Sequence, residues 1–486
     1  MGKKIGLCHG VFDLLHPGHI KHFDVAKKEV DVLIVSITAD KYVNKGPSRP
    51  AFNQFTRAET LSHLNPVDFV IISPHETAIP VISLVKPDLY FKGSEYKNFQ
   101  EDITGNIQKE VKSVKKHGGK IFFTNEKVYS SSNLINKYLY DSNTPTQAYL
   151  KNFRKKYDFT QIEEYFSMIK DLKILIVGET IIDEYTNAET LGKSSKDPIL
   201  CMNILDSEQH AGGVLAIASH CLGLGAQVTV LTGINFKDFS NRTIKNLKKM
   251  TMNIEFIDIS PKPTIKKKRI VDDRTKNKVI EFYEMDDSPL SNEQEKHFIG
   301  KLNKLAKNAD LIIVADYGHG LINERTIIEI DKLRILKSLN VQSNGGNRGF
   351  NNVSKYSNAD FISLNGGEIK IEARRKHLEM QNFVRDLRKR MKCKAILITK
   401  GSDGIEIYSK GNRKNTSPSF APFVKDRVGA GDTVLSIASS LFAVGATPEV
   451  IALCGNLAGA WSVSFTGNEN YLQSKIILKQ LRSILK

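Results

Sequence analysis

The sequence predicts an α/β protein built from two doubly wound domains, and three observations predict it. The chain has 486 residues, more than the roughly 250–300 at which a single core stops growing. Short β-branched apolar runs alternate with amphipathic stretches in two separate series, the pattern of parallel strands joined by crossover helices. Between the series lies a polar stretch without strand character.

The elements follow in chain order. "KIGLCHG", "VDVLIVSIT", "DFVIIS", "DLYFKG" and "KIFFTN" are read as the strands of a first domain over residues 1–140. "DSNTPTQAYLKNFRKKYDFTQIEEYFSMIKDLK" starts polar and turns helical, so residues 141–165 are read as a linker and helix. Strand character resumes at "LKILIVGETIIDEY" and continues through "AQVTVLTGI", "ADLIIVADYG", "ADFISLN" and "AILITKG", which gives a second domain over residues 166–486. Inside it, "TIKKKRIV" and "NKVIEFYEMDD" alternate in polarity and are joined by "DDRTK". They are expected to form a hairpin standing off the main sheet as a small β lid.

Composition narrows the function. With 41% hydrophobic and 25% charged residues the chain reads as a soluble globular protein. No stretch approaches the roughly 18 uninterrupted apolar residues of a membrane span, so no membrane partner is expected. "MGKKIGLCHGVFD" runs into a strand without a signal-like apolar region, which predicts a cytoplasmic protein. Cys8, Cys201, Cys221, Cys393 and Cys454 never pair as CxxC, so neither a disulfide frame nor a zinc site is suggested. The net charge of +17 is spread along helix-like stretches without an RNA-recognition motif or zinc finger. Small anionic substrates, rather than nucleic acid, are its expected partners.

Two motifs carry chemistry. In "GVFDLLHPGH", Pro17 suits the first turn of a helix because its missing N–H is an orphan there anyway. His16 and His19 then flank a helix N-terminus, where free backbone N–H groups attract an anion, and Gly18 leaves room for a phosphate. The fitting chemistry is attack on the α-phosphorus of a nucleoside triphosphate as pyrophosphate leaves. In "DRVGAGDTVLSIASS", Gly429, Ala430 and Gly431 let backbone N–H groups converge on an anion, and Asp432 on the following turn can take a proton from a hydroxyl.

Both motifs sit among segments that resemble known families. "GVFDLLHPGH", "VSITADKYVNKGPSRPAFNQFTRAE", "PDLYFKGSEY" and "VYSSSNLIN" resemble the Rossmann-like HxGH nucleotidyltransferases of the cytidylyltransferase-like branch, and in particular the adenylyltransferase half of the bifunctional ADP-heptose synthesis enzymes. The resemblance implies that His16, His19 and Lys45 are catalytic. It implies further that Gly10, Phe12, Gly18, Arg57, Lys92, Gly93, Ser130, Ser131 and Ser132 line the nucleotide and phosphate pocket, with one serine of the run alternatively a helix cap.

"AGGVLAIASHCLGLGAQVTVLTGI", "LNGGE", "LITKGSDG" and "DRVGAGD" resemble the ribokinase-like (PfkB) carbohydrate kinases, and "VGETIIDEYTNAETLGKSSKDPILCMN" the kinase half of the same heptose enzymes. This implies Asp432 as catalytic base and Gly429, Ala430 and Gly431 as its anion hole. Lys400, Gly401 and Gly404 would lie beside ATP. Asn365 and Glu368 would organise the Mg2+ and phosphate site, Glu368 through water, with no side chain assigned as a direct metal ligand. Asp183, Gly212 and Gly213 would face the sugar, and Lys266, Lys268 and Arg269 on the lid would meet a phosphate the sugar already carries.

The likeness has departures. Leu215 stands where the kinases commonly have Asn, and "VQSNGGNRGFNNVSKYSNADF" replaces an Asp-Pro-Lys-like segment. The domain order is also the reverse of the familiar heptose enzyme. The resemblance implies a sugar kinase and sugar-phosphate nucleotidyltransferase making a nucleotide-activated sugar, ADP-heptose first among the candidates. Its cofactors would be Mg2+, ATP for the kinase, and ATP or CTP for the transferase, and it would act as a homo-oligomer, a dimer. Two alternatives stay open: a CTP-dependent transferase for another sugar or polyol phosphate with a matching kinase, and a kinase domain turned non-catalytic sensor.

Overall fold

A computed structural model describes residues 2–43, 50–93, 106–124, 145–240, 243, 250–347, 349–375, 379–421 and 423–485. Its contacts divide the chain into two units, Met1–Phe159 with Lys475–Lys486, and Thr160–Ser474. The stretch read as linker and helix carries helices at Pro145–Arg154 and Phe159–Ile169. The C-terminal helix Ser474–Ile484 groups largely with the first unit, where Arg154 Nε and Nη2 donate to the Ile484 carbonyl oxygen at 2.8 and 2.5 Å.

The first unit holds β1 (Ile5–Gly10), β2 (Val32–Thr38), β3 (Phe69–Ser73), β4 (Leu89–Gly93) and β5 (Lys120–Thr124). They form one parallel sheet in the order β3-β2-β1-β4-β5. Successive residues of a strand face opposite sides. Leu7 therefore packs with Val81, Ile82 and Tyr90 on one face, and Cys8 with Phe23, Leu33 and Val35 on the other. The order reverses at β1, and Pro17–Lys28 follows that strand. Ligands of open α/β sheets bind at such switch points, beyond the carboxyl ends of the strands.

The second unit contributes β6 (Lys173–Gly178), β7 (Thr180–Lys193), β8 (Leu200–Gly213), β9 (Gln227–Ile234), β10 (Asn253–Asp258), β11 (Ile265–Asp272), β12 (Lys278–Glu284), β13 (Leu311–Asp316), β14 (Leu336–Val341), β15 (Phe361–Asn365), β16 (Ala395–Thr399), β17 (Ile405–Ser409) and β18 (Lys414–Ser417). Nine strands form the main sheet in the order β10-β9-β6-β13-β14-β15-β16-β17-β18. It is parallel as far as β16 and antiparallel beyond. The central strand β13, "LIIVAD", is buried at every residue, as a strand covered on both faces must be.

A separate sheet, β12-β11-β7-β8, stands beside it. β11 and β12 pair antiparallel, the hairpin expected from "TIKKKRIV" and "NKVIEFYEMDD". β11 alternates in burial, with Lys267 and Arg269 buried and Lys266 and Lys268 turned outward. No helix among the described residues is long and apolar enough to cross a membrane.

Candidate functional site

The first unit builds its site at the start of helix Pro17–Lys28. His16 is the N-cap in extended conformation, and Pro17 opens the helix, which puts Gly18 in the first turn. The imidazoles of His16 and His19 stack with ring centroids 3.8 Å apart and planes 20° from parallel, so the sequence pair is a pair in space. Phe12 sets its ring edgewise to His19 at 5.4 Å and to Phe23 at 5.1 Å. Its own φ of 48° places it in the left-handed region, where a bulky residue is strained and needs its surroundings to hold it. Gly10 makes room for that ring, since a Cβ there would lie 3.0 Å from Phe12 Cζ. The following turn is tied down by Asp13, whose Oδ2 and Oδ1 accept from the Ala51 and Phe52 amides at 2.8 and 3.0 Å.

Arg57 departs from the expectation that it lines the phosphate pocket. It is 2% exposed. Its guanidinium donates to the carbonyl oxygens of Phe52, Val11 and Thr38 and pairs with Asp40 at 2.5 Å. Those bonds knit the turn after β1 to the exit of β2, so Arg57 supports the histidine site from beneath. It offers no open face to a phosphate.

Lys92, ahead of Gly93 at the end of β4, is paired with buried Glu110 at 3.1 Å, and Glu110 also accepts from the Tyr90 hydroxyl at 2.9 Å. Burial, reinforced by the Lys92 charge, lowers His9 to about 3 and His22 to about 4, which keeps both neutral near pH 7. His22 Nδ1 lies 2.8 Å from Thr124 Oγ1. Lys45 and Ser130, Ser131 and Ser132 fall outside the described residues.

The second unit gathers its site from a helix start, the lid strands and the exits of main-sheet strands. Asp432 lies in the first turn of helix Ala430–Ala443, directly after Gly429, whose φ is 82°. Gly429 is required twice over: its backbone is left-handed, and a Cβ would fall 2.1 Å from Asn468 Oδ1. Gly431 is exposed, and a Cβ there would meet nothing within 4 Å. Asp432 Oδ1 accepts from Gln342 Nε2 at 3.0 Å and from the Tyr317 hydroxyl at 3.1 Å. Burial raises its carboxyl to about 7, the two hydrogen bonds pull it down, and the Asp183 charge pushes it up. A carboxyl poised there suits a general base at neutral pH.

Asp183, on β7, pairs with Arg269 Nη1 at 2.6 Å, and Arg269 Nη2 also reaches Glu281 at 2.8 Å. Gly212 packs against this carboxylate, for a Cβ there would lie 2.2 Å from Asp183 Oδ2. Gly213 follows with φ 59° at the turn into helix Val214–Leu224. Leu215 is fully buried in that helix.

Lys268 corrects an expectation. It turns away from the site to lie 3.7 Å from Glu184, with its side chain 41% exposed. Strand parity gives the inward place to Lys267, one residue earlier and two before Arg269. Lys267 is buried and feels the charges of Asp183 and Asp432. Among the described residues its ammonium has no ion-pair partner, only the Tyr283 ring at 5.2 Å. The signal was present in the alternation of "TIKKKRIV", with buried Ile265 fixing the phase.

Asn365 and Glu368 form a reciprocal capping box at helix Gly366–Ala373. Glu368 accepts from the Asn365 and Ser343 amides at 2.8 and 3.3 Å, and burial, with a smaller contribution from Asp432, raises it to about 7. Lys400 lies at the exit of β16 with its ammonium 3.1 Å from Glu406. Gly401 and Gly404, at φ 58° and 86°, shape the turn into β17.

Sequence reasoning missed Tyr317, Gln342 and Glu179. Glu179 accepts from the Tyr317 and His319 amides, both at 3.1 Å, and is raised to about 7 by burial and by Asp316. Nothing local to these residues marks them, because strand order alone brings the exits of β6, β13 and β14 together.

A parallel sheet with a small lid, a glycine turn ahead of a buried carboxylate and an acid–arginine pair on the lid define a sugar-kinase class of protein. The chain belongs to the pfkB family of carbohydrate kinases, whose family model matches residues 171–474. Residues 7–137 match the cytidylyltransferase-like family, so the kinase region lies C-terminal to the transferase-like one, the reverse of the usual order in the bifunctional heptose proteins.

Among curated relatives, the bifunctional protein HldE of Histophilus somni is 25% identical over 308 residues, covering 63% of this chain and 62% of that protein. The bifunctional protein HldE of a Nitratiruptor species is 43% identical over 115 residues, covering 23% of this chain and 25% of that protein. The matched region thus spans less than two thirds of these relatives. Phosphofructokinase-2 from Escherichia coli, solved with substrates and products, shares the fold at a TM-score of 0.54 and 12% identity, covering 65% of this chain and 100% of that one. Arabidopsis thaliana ribokinase complexed with ribose and ATP does so at 0.51 and 15%, covering 64% and 99%.

Proposed function

We propose that this chain makes a nucleotide-activated sugar in two transfers, a phosphorylation in the second unit and a nucleotidyl transfer in the first. The observation that carries the reading is Asp432: a buried carboxylate poised near neutrality, one turn into a helix behind the Gly429 turn, in the unit that holds Asp183, Arg269 and Lys267. Asp432 takes the proton from a sugar hydroxyl as that oxygen attacks the γ-phosphorus and ADP departs. The amides of Gly429 to Gly431 face the charge that develops on the transferred group.

Mg2+ would supply charge neutralisation on the nucleotide phosphates. Both oxygens of Glu368 already hold backbone amides, which fits a hydrated ion met through water and carried mainly by phosphate. Asp183 and Arg269 would orient the sugar, and Lys267 would receive its anionic group. In the first unit, a sugar 1-phosphate oxygen attacks the α-phosphorus of a nucleoside triphosphate and pyrophosphate leaves. His16 and His19 stabilise the charge at the helix N-terminus, and Lys45 and Ser130 to Ser132 are proposed to join them.

The substrates proposed are D-glycero-D-manno-heptose phosphates and the product ADP-heptose, supported by relatives named as bifunctional HldE proteins. A heptose 7-phosphate would need a separate phosphatase between the two transfers. The reading places the enzyme in the cytoplasm, where nucleoside triphosphates are abundant, as a homodimer. The cytidylyltransferase-like match favours one second reading, CTP in place of ATP at the histidine site.

The test supplies ATP, CTP, GTP and UTP separately with Mg2+, pyrophosphatase and a panel of sugar 1-phosphates, and follows phosphate release. Turnover with ATP and a heptose 1-phosphate, lost in His16→Ala, supports the ADP-heptose reading. Turnover with CTP alone replaces it with the second. A parallel ADP-release assay with sugar phosphates, including heptose 7-phosphate, tests the kinase, and its insensitivity to Asp432→Asn would overturn the role given to that base.

A further inference from the structure

We infer that Gln342 and Tyr317 clamp the Asp432 carboxylate so that Oδ2 alone meets the sugar hydroxyl, which makes Gln342 a positioning residue for phosphoryl transfer. The inference rests on the reading of Asp432 as the base. Both donors bind the same oxygen, Oδ1, at 3.0 and 3.1 Å, and among the described residues no donor is bonded to Oδ2. Two donors on one oxygen fix the rotation of the carboxylate and leave the lone pairs of the other free to take a proton.

The arms of the clamp are themselves held. The Tyr317 amide donates to Glu179, and its carbonyl oxygen accepts from the side chains of Asn344 and Asn347 at 2.9 and 2.5 Å. The Gln342 carbonyl oxygen accepts from Asn347 and Asn351, both at 3.1 Å, and its amide donates to the Asp316 carbonyl oxygen at 2.9 Å. The asparagines of "QSNGGNRGFNN" are therefore the frame that aims an amide donor at the base. An acid in place of Gln342 would set a second negative charge beside Asp432.

The charged and titratable groups facing Asp432 are Tyr317 after β13, Asp183 on β7, Lys267 on β11 and Glu368 on helix Gly366–Ala373. Donors to a carboxylate favour its ionised form, so losing one moves its protonation to higher pH.

The test uses the full chain with Gln342→Leu and Gln342→Glu, and Asp432→Asn as reference. In Gln342→Leu, kcat is expected to fall about tenfold with KM within about twofold, and the acid limb of the kcat profile to move up by about one pH unit. Gln342→Glu moves it further through like charge. A second readout needs no substrate: carbon NMR of the chain labelled at aspartate carboxyls, where the Asp432 signal is the one missing from Asp432→Asn, follows the same upward movement of its midpoint.

A folded Gln342→Leu protein with limb and midpoint unchanged overturns the inference. Kinase turnover surviving in Asp432→Asn overturns instead the reading beneath it, whatever Gln342 does. If thermal melts show Gln342→Leu unfolded, Tyr317→Phe, which deletes one hydroxyl from the same clamp, is read in the same two ways.

Discussion

The two candidate sites are assembled in opposite ways. In the first unit the candidate groups lie within one helical turn, His16 to His19, where stacked imidazoles sit at a helix start. In the second, Asp183 and Lys267 come from the lid strands, Tyr317 and Gln342 from just past β13 and β14, and Asp432 from a helix start, all from distant parts of the chain. One site is a local motif, and the other is a product of topology. A local site changes with its motif, whereas a gathered site can change one contributor and keep the others.

The largest effects should come from severing the two chemistries. Asp432→Asn is expected to lower ADP formation by about 10²–10⁴-fold, the span of general-base contributions, while nucleotidyl transfer stays within about twofold. His16→Ala should do the reverse. Parallel assays on one preparation check both, and loss of both activities from either change would show that the sites do not work independently.

The same contrast governs what the sequence could show. "HPGH" displays its spacing, its helix-opening proline and its small residue in one short run, so two histidines at a helix start were legible, whereas the stacking of their rings was not. The strands and lid hairpin were legible too, because periodicity is local. Arg57 was not, since its burial depends on Val11, Thr38 and Asp40 converging around it. Lys268 was misplaced by a single residue, and in a strand one residue is the whole width of the sheet.

That residue offers the next sharpest test. Removal of the inward cation in Lys267→Met should raise KM for the sugar phosphate about 10–100-fold, the range for losing one charged contact. Lys268→Met, on the outer face, should stay within about twofold. Initial-rate measurements over a range of sugar phosphate separate them, and equal effects would break the parity argument.

A smaller effect is expected at the glycine behind Asp183. Gly212→Ala forces its methyl against a carboxylate oxygen and must displace it or Ile181, at about 1–3 kcal/mol for an overpacked site. Gly431→Ala, facing open space, should cost little. Thermal melts monitored with and without ATP compare the two, and a Gly212→Ala protein as stable as Gly431→Ala would mean the Asp183–Arg269 pair shifts freely.

The smallest effect concerns pH, and it returns to the first unit. His22 is held neutral, its pKa lowered to about 4 by burial and by Lys92. A histidine depressed in the folded state leaves the unfolded chain binding the extra proton below its ordinary pKa of about 6.5. Its contribution to stability is therefore present above about pH 6.5 and lost as pH falls toward 4. His9, lowered to about 3, acts in the same direction through the same lysine. Hydrogen exchange of the β1 and β5 amides should thus speed up, relative to intrinsic rates, between pH 7 and pH 5. His22→Gln removes one titrating group and keeps a polar partner for Thr124, so it should flatten that dependence while amides of β13 in the second unit keep theirs. A pH response that is unchanged by His22→Gln would show that the titration of this histidine does not govern the opening of β1 and β5.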